Sequence, residues 1–442
     1  MRKSTLTRRE FLGTTSAGLA AASVVPRSRA VSGNPNALAL HGGTPVRSTP
    51  FPDWPQTAEA DEQYILKSLR NHRWCTMDGE FIPKFEKAWR ERVGSRGCVI
   101  TPCGTHALQL ALELIGVGPG DEVIVAPYTF IATIDAIMLS YALPVFADSD
   151  LKTFQIDADD IEHRITEHTR AIMPVHMYGA PANLDKVMAI GKKHNIPVIE
   201  DACQGHNTEW NGQKVGTFGI MGCFSFQETK NLPAGEAGAL VSNDEDLIAK
   251  AYMVRNFGSD PKTHRYAMRG MKYRISDFAA AVLMGQLERY DELCRKRDQH
   301  AAYLREELRK MPGMFLQEHY PQSTHQNYYC FGLRYDQEHF KNVPRAKVVR
   351  ALEAEGIMAV NGYSPLNKEP FIEQSLNLRS FRSVYSEERL EKYRRGLNLP
   401  HNDQLCATAL YLEQNMLVGE KSDVDDVLTA FDKVQKNASA LA

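Results

Sequence analysis

The sequence predicts an α/β fold: a large unit built on a mostly parallel sheet covered by helices, followed by a smaller C-terminal α+β unit. Three observations predict it. Short apolar runs alternate with amphipathic stretches of helical period, as in successive βαβ units. The chain has 442 residues, 43% hydrophobic and 24% charged, enough for a large core without a disulfide or metal staple. From residue 275 to about 309 a long helical pattern, with Phe278, Val282, Leu283, Leu287, Tyr290 and Leu293 at helical spacing, separates that alternation from a segment of different character.

Residues 1–30 stand apart. Arg2, Lys3, Arg8 and Arg9 precede a weakly apolar stretch, residues 11–25, too short and too polar to span a bilayer. It ends in Ser28-Arg29-Ala30, with small residues at both positions a signal peptidase inspects. The run Thr7-Arg8-Arg9-Glu10-Phe11-Leu12 resembles a twin-arginine export signal, which carries proteins that fold before crossing a membrane. The expectation is a signal peptide over residues 1–30 and a periplasmic or otherwise exported protein without a membrane anchor after processing. A disordered basic tail on a cytoplasmic protein is the alternative.

Residues 37–56 are rich in Pro and Gly and read as an extended arm. Helical periodicity follows over 59–69 and 85–93. The apolar runs 98–100, 122–126, 143–147, 170–175 and 196–200 read as strands, with helical stretches 105–115, 131–139 and 184–194 between them. Asn211-Gly212, between short runs within 209–215, is a hairpin signal. Further strands are expected over 220–226 and 237–242. Beyond the long helix, residues 328–335, 345–355 and 424–434 suggest the smaller unit. The expected divisions are 1–30, 31–290 with the arm included, and 291–442.

Charge and cysteines exclude several functions. The net charge is −2, and removing residues 1–30 takes away six basic residues and one acidic one, leaving −7. Such a chain is unsuited to nucleic-acid backbones. The eight cysteines form no C-x-x-C pair and no Cys/His cluster at zinc spacing, so they read as reduced thiols and no metal site is expected.

Three segments carry chemistry. In Ser225-Phe226-Gln227-Glu228-Thr229-Lys230-Asn231 a lysine follows a strand end, just before the glycines at 235 and 238. There it would lie at the sheet edge where ligands bind. Ile196-Pro197-Val198-Ile199-Glu200-Asp201 ends an apolar strand in two acids, for which a helix cap is the simpler explanation. Thr101-Pro102-Cys103-Gly104-Thr105-His106-Ala107 joins a strand to a helix, where Gly104 permits close approach and the helix N-terminus offers N–H groups to an anion. A phosphate cradle, an acid for a ring nitrogen and a lysine for an aldehyde are the parts that pyridoxal 5′-phosphate requires.

These segments, with Pro127-Tyr128-Thr129-Phe130 and Gly270-Met271-Lys272-Tyr273-Arg274, give the chain a resemblance to the DegT/DnrJ/EryC1/StrS family of sugar and aminocyclitol aminotransferases. The resemblance runs from about residue 38 to about 434. It implies the type I fold of pyridoxal-phosphate enzymes. Lys230 would carry the cofactor as a Schiff base and move the proton between Cα and C4′, while Asp201 would pair with the pyridinium nitrogen. Gln204 would lie near the ring hydroxyl and Phe130 against the ring face, although for Phe130 core packing is an equal alternative. Gly104, Ser225 and the backbone at Thr105 and His106 would hold the phosphate; the family more commonly has Ala at the His106 position.

Lys272 stands where the family usually has Asn reaching the phosphate of the neighbouring subunit. A lysine can do so as a point charge, which implies a homodimer with shared active sites, whereas a solvated surface lysine is the alternative. Gly362-Tyr363-Ser364-Pro365-Leu366 resembles the aminocyclitol and aminohydroxybenzoate branch. The implied reaction moves an amino group from glutamate or glutamine to a keto-sugar or keto-cyclitol. A dehydratase or aromatising synthase on the same fold is one alternative. The family's sugar 3-dehydrases replace the lysine with histidine, so Lys230 argues against that branch. A non-catalytic binding protein is the other alternative, opposed by the intact set Lys230, Asp201, Gln204 and Ser225.

Overall fold

The computed structural model describes residues 34–442. The leader expected over residues 1–30 lies outside them. The strands β1 (Gly97–Thr101), β2 (Glu122–Val125), β3 (Leu143–Phe146), β4 (Thr169–Met173) and β5 (Ile199–Asp201) come first. A hairpin, β6 (Glu209–Trp210) and β7 (Gln213–Lys214), precedes β8 (Met221–Ser225) and β9 (Gly238–Ser242). Hydrogen-bonded ladders link β1-β9-β8-β5 and β3-β2-β4, and parallel bridges Ile172–Val198 and Val175–Asp201 join β4 to β5. The result is one sheet in the order β1-β9-β8-β5-β4-β2-β3.

All these strands share one direction except β9, which is antiparallel to both β1 and β8. The reason lies in the connection. A parallel return needs a crossover, usually a helix, and the β8–β9 segment contains none. It turns back at the same edge of the sheet, and that turn carries Lys230. Every residue of β1, β8 and β9 is buried, as expected for strands covered on both faces.

One face packs against the helix Phe81–Val93, whose Phe85 and Trp89 meet Phe224 and Phe226. The other face is covered by the helices Gly104–Leu114 and Ile131–Leu139, with Leu108, Leu112 and Ile134 in the core. The β6–β7 turn forms where Asn211-Gly212 predicts it. Both residues are left-handed, at φ 50° and 78°, which is the conformation a two-residue hairpin turn demands.

The helix Asp277–Leu308 runs 32 residues out of this unit, and residue 290 falls inside it. Beyond it lie β10 (Met314–Leu316), β11 (Ser323–His325), β12 (Cys330–Tyr335), β13 (Ala359–Asn361) and β14 (Ala409–Glu413). An antiparallel sheet β10-β12-β14-β13 packs on the helices Arg345–Ala354 and Lys421–Lys436, while β11 extends the β6–β7 hairpin. Leu38 and Phe51 of the N-terminal arm are buried in this second core. Ile372, Leu376, Phe381 and Leu405, although late in the sequence, join the core of the large sheet.

Candidate active site

The C-terminal ends of β1, β5 and β8 open onto one edge, the side of a parallel sheet where helices begin and ligands bind. β1 leads through Cys103 into the helix Gly104–Leu114. A Cβ added to Gly104 would stand 2.8 Å from both Ser225 Cβ and Cys203 Sγ, so only glycine lets the helix start against the end of β8. The first intrahelical bond is Ala107 N to Cys103 O, 3.2 Å. The N–H groups of Gly104, Thr105 and His106 therefore precede it at the helix N-terminus, where an anion can be held, although that of His106 also reaches the Cys103 thiol. His106 Nδ1 lies 3.4 Å from Cys103 Sγ. Burial raises the Cys103 thiol pKa, but His106 outweighs burial and brings it below its ordinary value.

Glu200 and Asp201 are successive residues of one strand and so point to opposite faces. Glu200 is fully buried and accepts from the backbone N–H of Gly216, Phe218 and Gly219, each at 2.7 Å. It also faces His176 Nε2 at 3.0 Å. Since His176 Nδ1 accepts from Ala182 N, Nε2 carries the proton and donates to Glu200. Asp201 is 3% exposed. Its Oδ2 accepts from Thr133 Oγ1 at 2.8 Å and its Oδ1 from Cys203 N at 3.1 Å, with Thr129 Oγ1 2.9 Å from Thr133 Oγ1. Among the described residues Asp201 has no cationic partner. A buried carboxylate held by two donors and lacking a counter-charge suits a protonated ring nitrogen.

Lys230 is 9% exposed. Its loop is fixed by Phe226 N to Ala237 O, Glu228 N to Gly235 O and Lys230 N to Gln227 O, while Trp54 Nε1 donates to Lys230 O at 3.2 Å. Lys230 Nζ lies 3.9 Å from the centre of the Tyr329 ring, and Tyr329 Oη is 3.0 Å from Thr229 Oγ1. Burial opposes the Lys230 ammonium, but Tyr329 and Cys203 outweigh it and leave its pKa above the ordinary value. Ser225 Oγ accepts from Gln227 N, 3.4 Å, and the Ser225 carbonyl accepts from His206 Nε2 at 2.6 Å. Gln204 Oε1 accepts from Tyr178 N at 2.8 Å, and its amide nitrogen lies 3.5 Å from Tyr363 Oη.

Lys230, Asp201, Gln204, Ser225, Gly104, Thr105 and His106 thus all stand at or just beyond the strand ends. Phe130 caps the helix Ile131–Leu139 and is 49% exposed. Lys272 is exposed; it bridges Asn256 through the backbone, and its side chain makes no hydrogen bond or ion pair among the described residues. Thr133, Trp54 and Tyr329 are not singled out by the sequence reading. The four-residue spacing of Thr129 and Thr133 across a helix start was the available signal for the first. Trp54 sits in the arm and Tyr329 in the run 328–335, whose pattern points only to the smaller unit. A buried acid without a cation, a helix N-terminus backed by Gly104 and a buried lysine together fit pyridoxal phosphate.

The sequence profile of the DegT/DnrJ/EryC1/StrS aminotransferase family matches residues 55–411. The chain is similar to the L-glutamine:2-deoxy-scyllo-inosose aminotransferase of Streptomyces kanamyceticus, 34% identical over 426 residues that cover 92% of this chain and 98% of that protein. It is 32% identical over 419 residues to the L-glutamine:scyllo-inosose aminotransferase of Streptomyces griseus, covering 91% and 98%. Among solved structures, 3-amino-5-hydroxybenzoic acid synthase matches with a TM-score of 0.79 and 27% identity over 90% of this chain and all of that one. DesI, solved with its TDP-sugar product, matches with a TM-score of 0.76 and 26% identity over 92% and 97%.

Proposed function

The chain belongs to the DegT/DnrJ/EryC1/StrS aminotransferase family, and from that premise we propose that it aminates a keto-cyclitol of the inosose kind, with glutamine as the donor ahead of glutamate. It is a pyridoxal-phosphate-dependent aminotransferase. The observation that carries the chemistry is the placement of buried Lys230 and buried, cation-free Asp201 at the ends of neighbouring strands. The names of the relatives support the substrate pair, and keto-sugars are the broader class behind it.

When bound, the cofactor supplies an electron sink for the bond changes at the substrate carbon. Lys230 Nζ would hold it and, once free, would serve as the base that moves a proton between the substrate carbon and C4′ of the cofactor. Asp201, its carboxylate fixed by Thr133, would keep the ring nitrogen protonated by charge. Gly104, Thr105 and His106 offer backbone donors, and Ser225 a hydroxyl, to the phosphate. Gln204 would lie toward the ring hydroxyl, and Phe130 would cover a ring face. Lys272 would reach the phosphate held by a second copy of the chain, which would make the working unit a homodimer.

Borohydride treatment of the yellow protein should bleach it and leave the pyridoxyl group on Lys230 in a peptide map. A label on another residue refutes the assignment. Incubating the aminated cofactor form with inososes and with keto-sugars then ranks the acceptors. The likeness to 3-amino-5-hydroxybenzoic acid synthase supports a second reading, elimination of water to form an aromatic ring. Formation of an aminocyclitol that retains all its hydroxyl groups decides against it.

Residues 1–30 support export of the folded protein, with cleavage after Ala30. Replacing Arg8 and Arg9 by lysine should hold active precursor in the cytoplasm. N-terminal sequencing of fractionated cells tests this, and an intact Met1 in the cytoplasmic fraction of unaltered cells defeats it in favour of a cytoplasmic enzyme.

A further inference from the structure

Away from the strand-end cluster, a cavity of about 630 Å³ opens where the segment after β3, the C-terminal end of the helix Asp277–Leu308 and the edge strand β10 meet. Four cationic side chains line it, Lys152, Arg305, Arg309 and Arg334, against a single acid, Glu318. None of the four forms an ion pair among the described residues. Arg305 is only 8% exposed; its Nη1 donates to Gln317 O at 2.9 Å. Arg334 Nε donates to Leu151 O at 3.0 Å, and its guanidinium lies 5.2 Å from the centre of the Phe315 ring. Arg309 and Lys152 use no side-chain donor within the described chain. His319, also in the lining, is pushed down to about 2 by burial and then by Arg305 and Arg309, and stays neutral.

Of the acids nearby, Glu306 and Glu307 are committed elsewhere, and the charges of Glu318 and Asp150 offset only part of the burial cost of Arg305 and Arg334. Glu306 and Glu307 lie 3.7 and 2.7 Å from Lys310. Asp150 Oδ1 accepts from the backbone of Lys152 and Thr153 and from the Thr153 hydroxyl. Elsewhere in the molecule a buried or half-buried arginine commonly meets a carboxylate, as Arg47 meets Asp423, Arg255 meets Glu86 and Arg389 meets Glu122. Burial lowers the pKa of Arg305 and of Arg334, yet a guanidinium does not give up its charge in a protein. Arg309 lies close enough to Arg305 to disfavour its charge, and Arg334 lines the same cavity; an anion relieves that repulsion, and phosphoryl oxygens match the fork geometry of arginine. The volume exceeds that of a lone ion and falls in the range of small-molecule sites. Phe315, 48% exposed beneath Arg334, offers apolar surface for an organic portion.

We propose that this cavity is a second ligand site, which binds a small phosphoryl-bearing molecule of two or more negative charges. None of its residues is among those assigned to amine transfer, so either reading can fail alone. The test uses borohydride-reduced holoenzyme, in which the strand-end phosphate cradle is permanently filled, titrated calorimetrically with inorganic pyrophosphate. Saturable binding is expected, weaker for inorganic phosphate and weakened by added salt. Arg309→Gln and Arg334→Gln should each reduce affinity about tenfold or more, the scale of a lost charged hydrogen bond, while exposed Arg379→Gln elsewhere should not. Arg309 is exposed, so its variant stays folded even if changes at buried Arg305 do not. The proposal is overturned by the absence of saturable pyrophosphate binding, by citrate binding more tightly than pyrophosphate, or by a folded Arg309→Gln/Arg334→Gln double variant that binds as tightly as the unaltered protein.

Discussion

The two faces of the main sheet at the end of β5 hold adjacent carboxylates under opposite conditions. On the face of the helix Phe81–Val93, Glu200 is saturated by three backbone N–H groups and a histidine. Packed close by, His206 donates to the end of β8 among Trp89, Phe224 and Phe226. On the face of the helix Gly104–Leu114, Asp201 has two donors, and Lys230 follows the end of β8. The charge of Glu200 is spent inside the chain, where it ties residues 216–219 to the strand. The charge of Asp201 remains available. Burial alone does not distinguish a structural acid from a functional one; the count and charge of its partners does.

Four substitutions probe this division. Asp201→Asn should leave cofactor bound, as read by absorbance, yet lower kcat by about 10³-fold, on the order of 4 kcal/mol. Near-normal turnover would move the electrostatic role to another group. Glu200→Gln should do the reverse. It places an amide among N–H donors and removes a buried charge, costing about 3 kcal/mol in urea unfolding while the folded fraction keeps kcat within a few-fold. A catalytic defect without lost stability would erase the contrast between the faces.

His206 sharpens the structural side through pH. Burial, and then the charge of Lys230, push it down to about 3 in the folded chain from an ordinary value of 6.5. Below 6.5 the unfolded chain takes up this proton and the native chain does not. Stability contributed by this group is therefore present above 6.5 and lost toward pH 3, by about 1.4 kcal/mol per pH unit. Unfolding of His206→Gln should show that much less dependence between pH 6 and 5; an unchanged slope would assign the proton to other groups. The smallest effect is expected on the functional side. Thr133→Val removes one donor from Asp201 and should lower kcat about tenfold with little change in stability, which paired rate and unfolding measurements check.

The sequence made Lys230, Asp201 and Gly104 visible because each sits in a local pattern: a strand end beside glycines, an apolar run ending in acids, a strand-to-helix turn. It gave no view of Thr133 under Asp201, 68 positions away, or of Trp54 on Lys230, 176 positions away. Nor did it mark Tyr329, whose partner Thr229 is 100 positions distant. Helices also form within residues 158–164, 245–255 and 370–408, where no sequence pattern announces them. In the helix Glu387–Arg395 only Leu390 and Tyr393 stand apolar among charges, too few to mark a helical period.

By itself the sequence determined the buried strands of the main sheet and the helices over 104–114, 131–139 and 184–194, because the period of apolar residues is a local property of the chain. It also determined that Glu200 and Asp201 must face opposite ways, since side chains alternate along a strand. Only the tertiary structure decided which face would satisfy its acid, that β9 would reverse direction, and that an arm tryptophan would hold the lysine loop. Those outcomes depend on segments far apart in sequence meeting in one packed arrangement. The entropy of closing such long loops and the fit of the surfaces that close them belong to the whole chain and leave no trace in any local pattern.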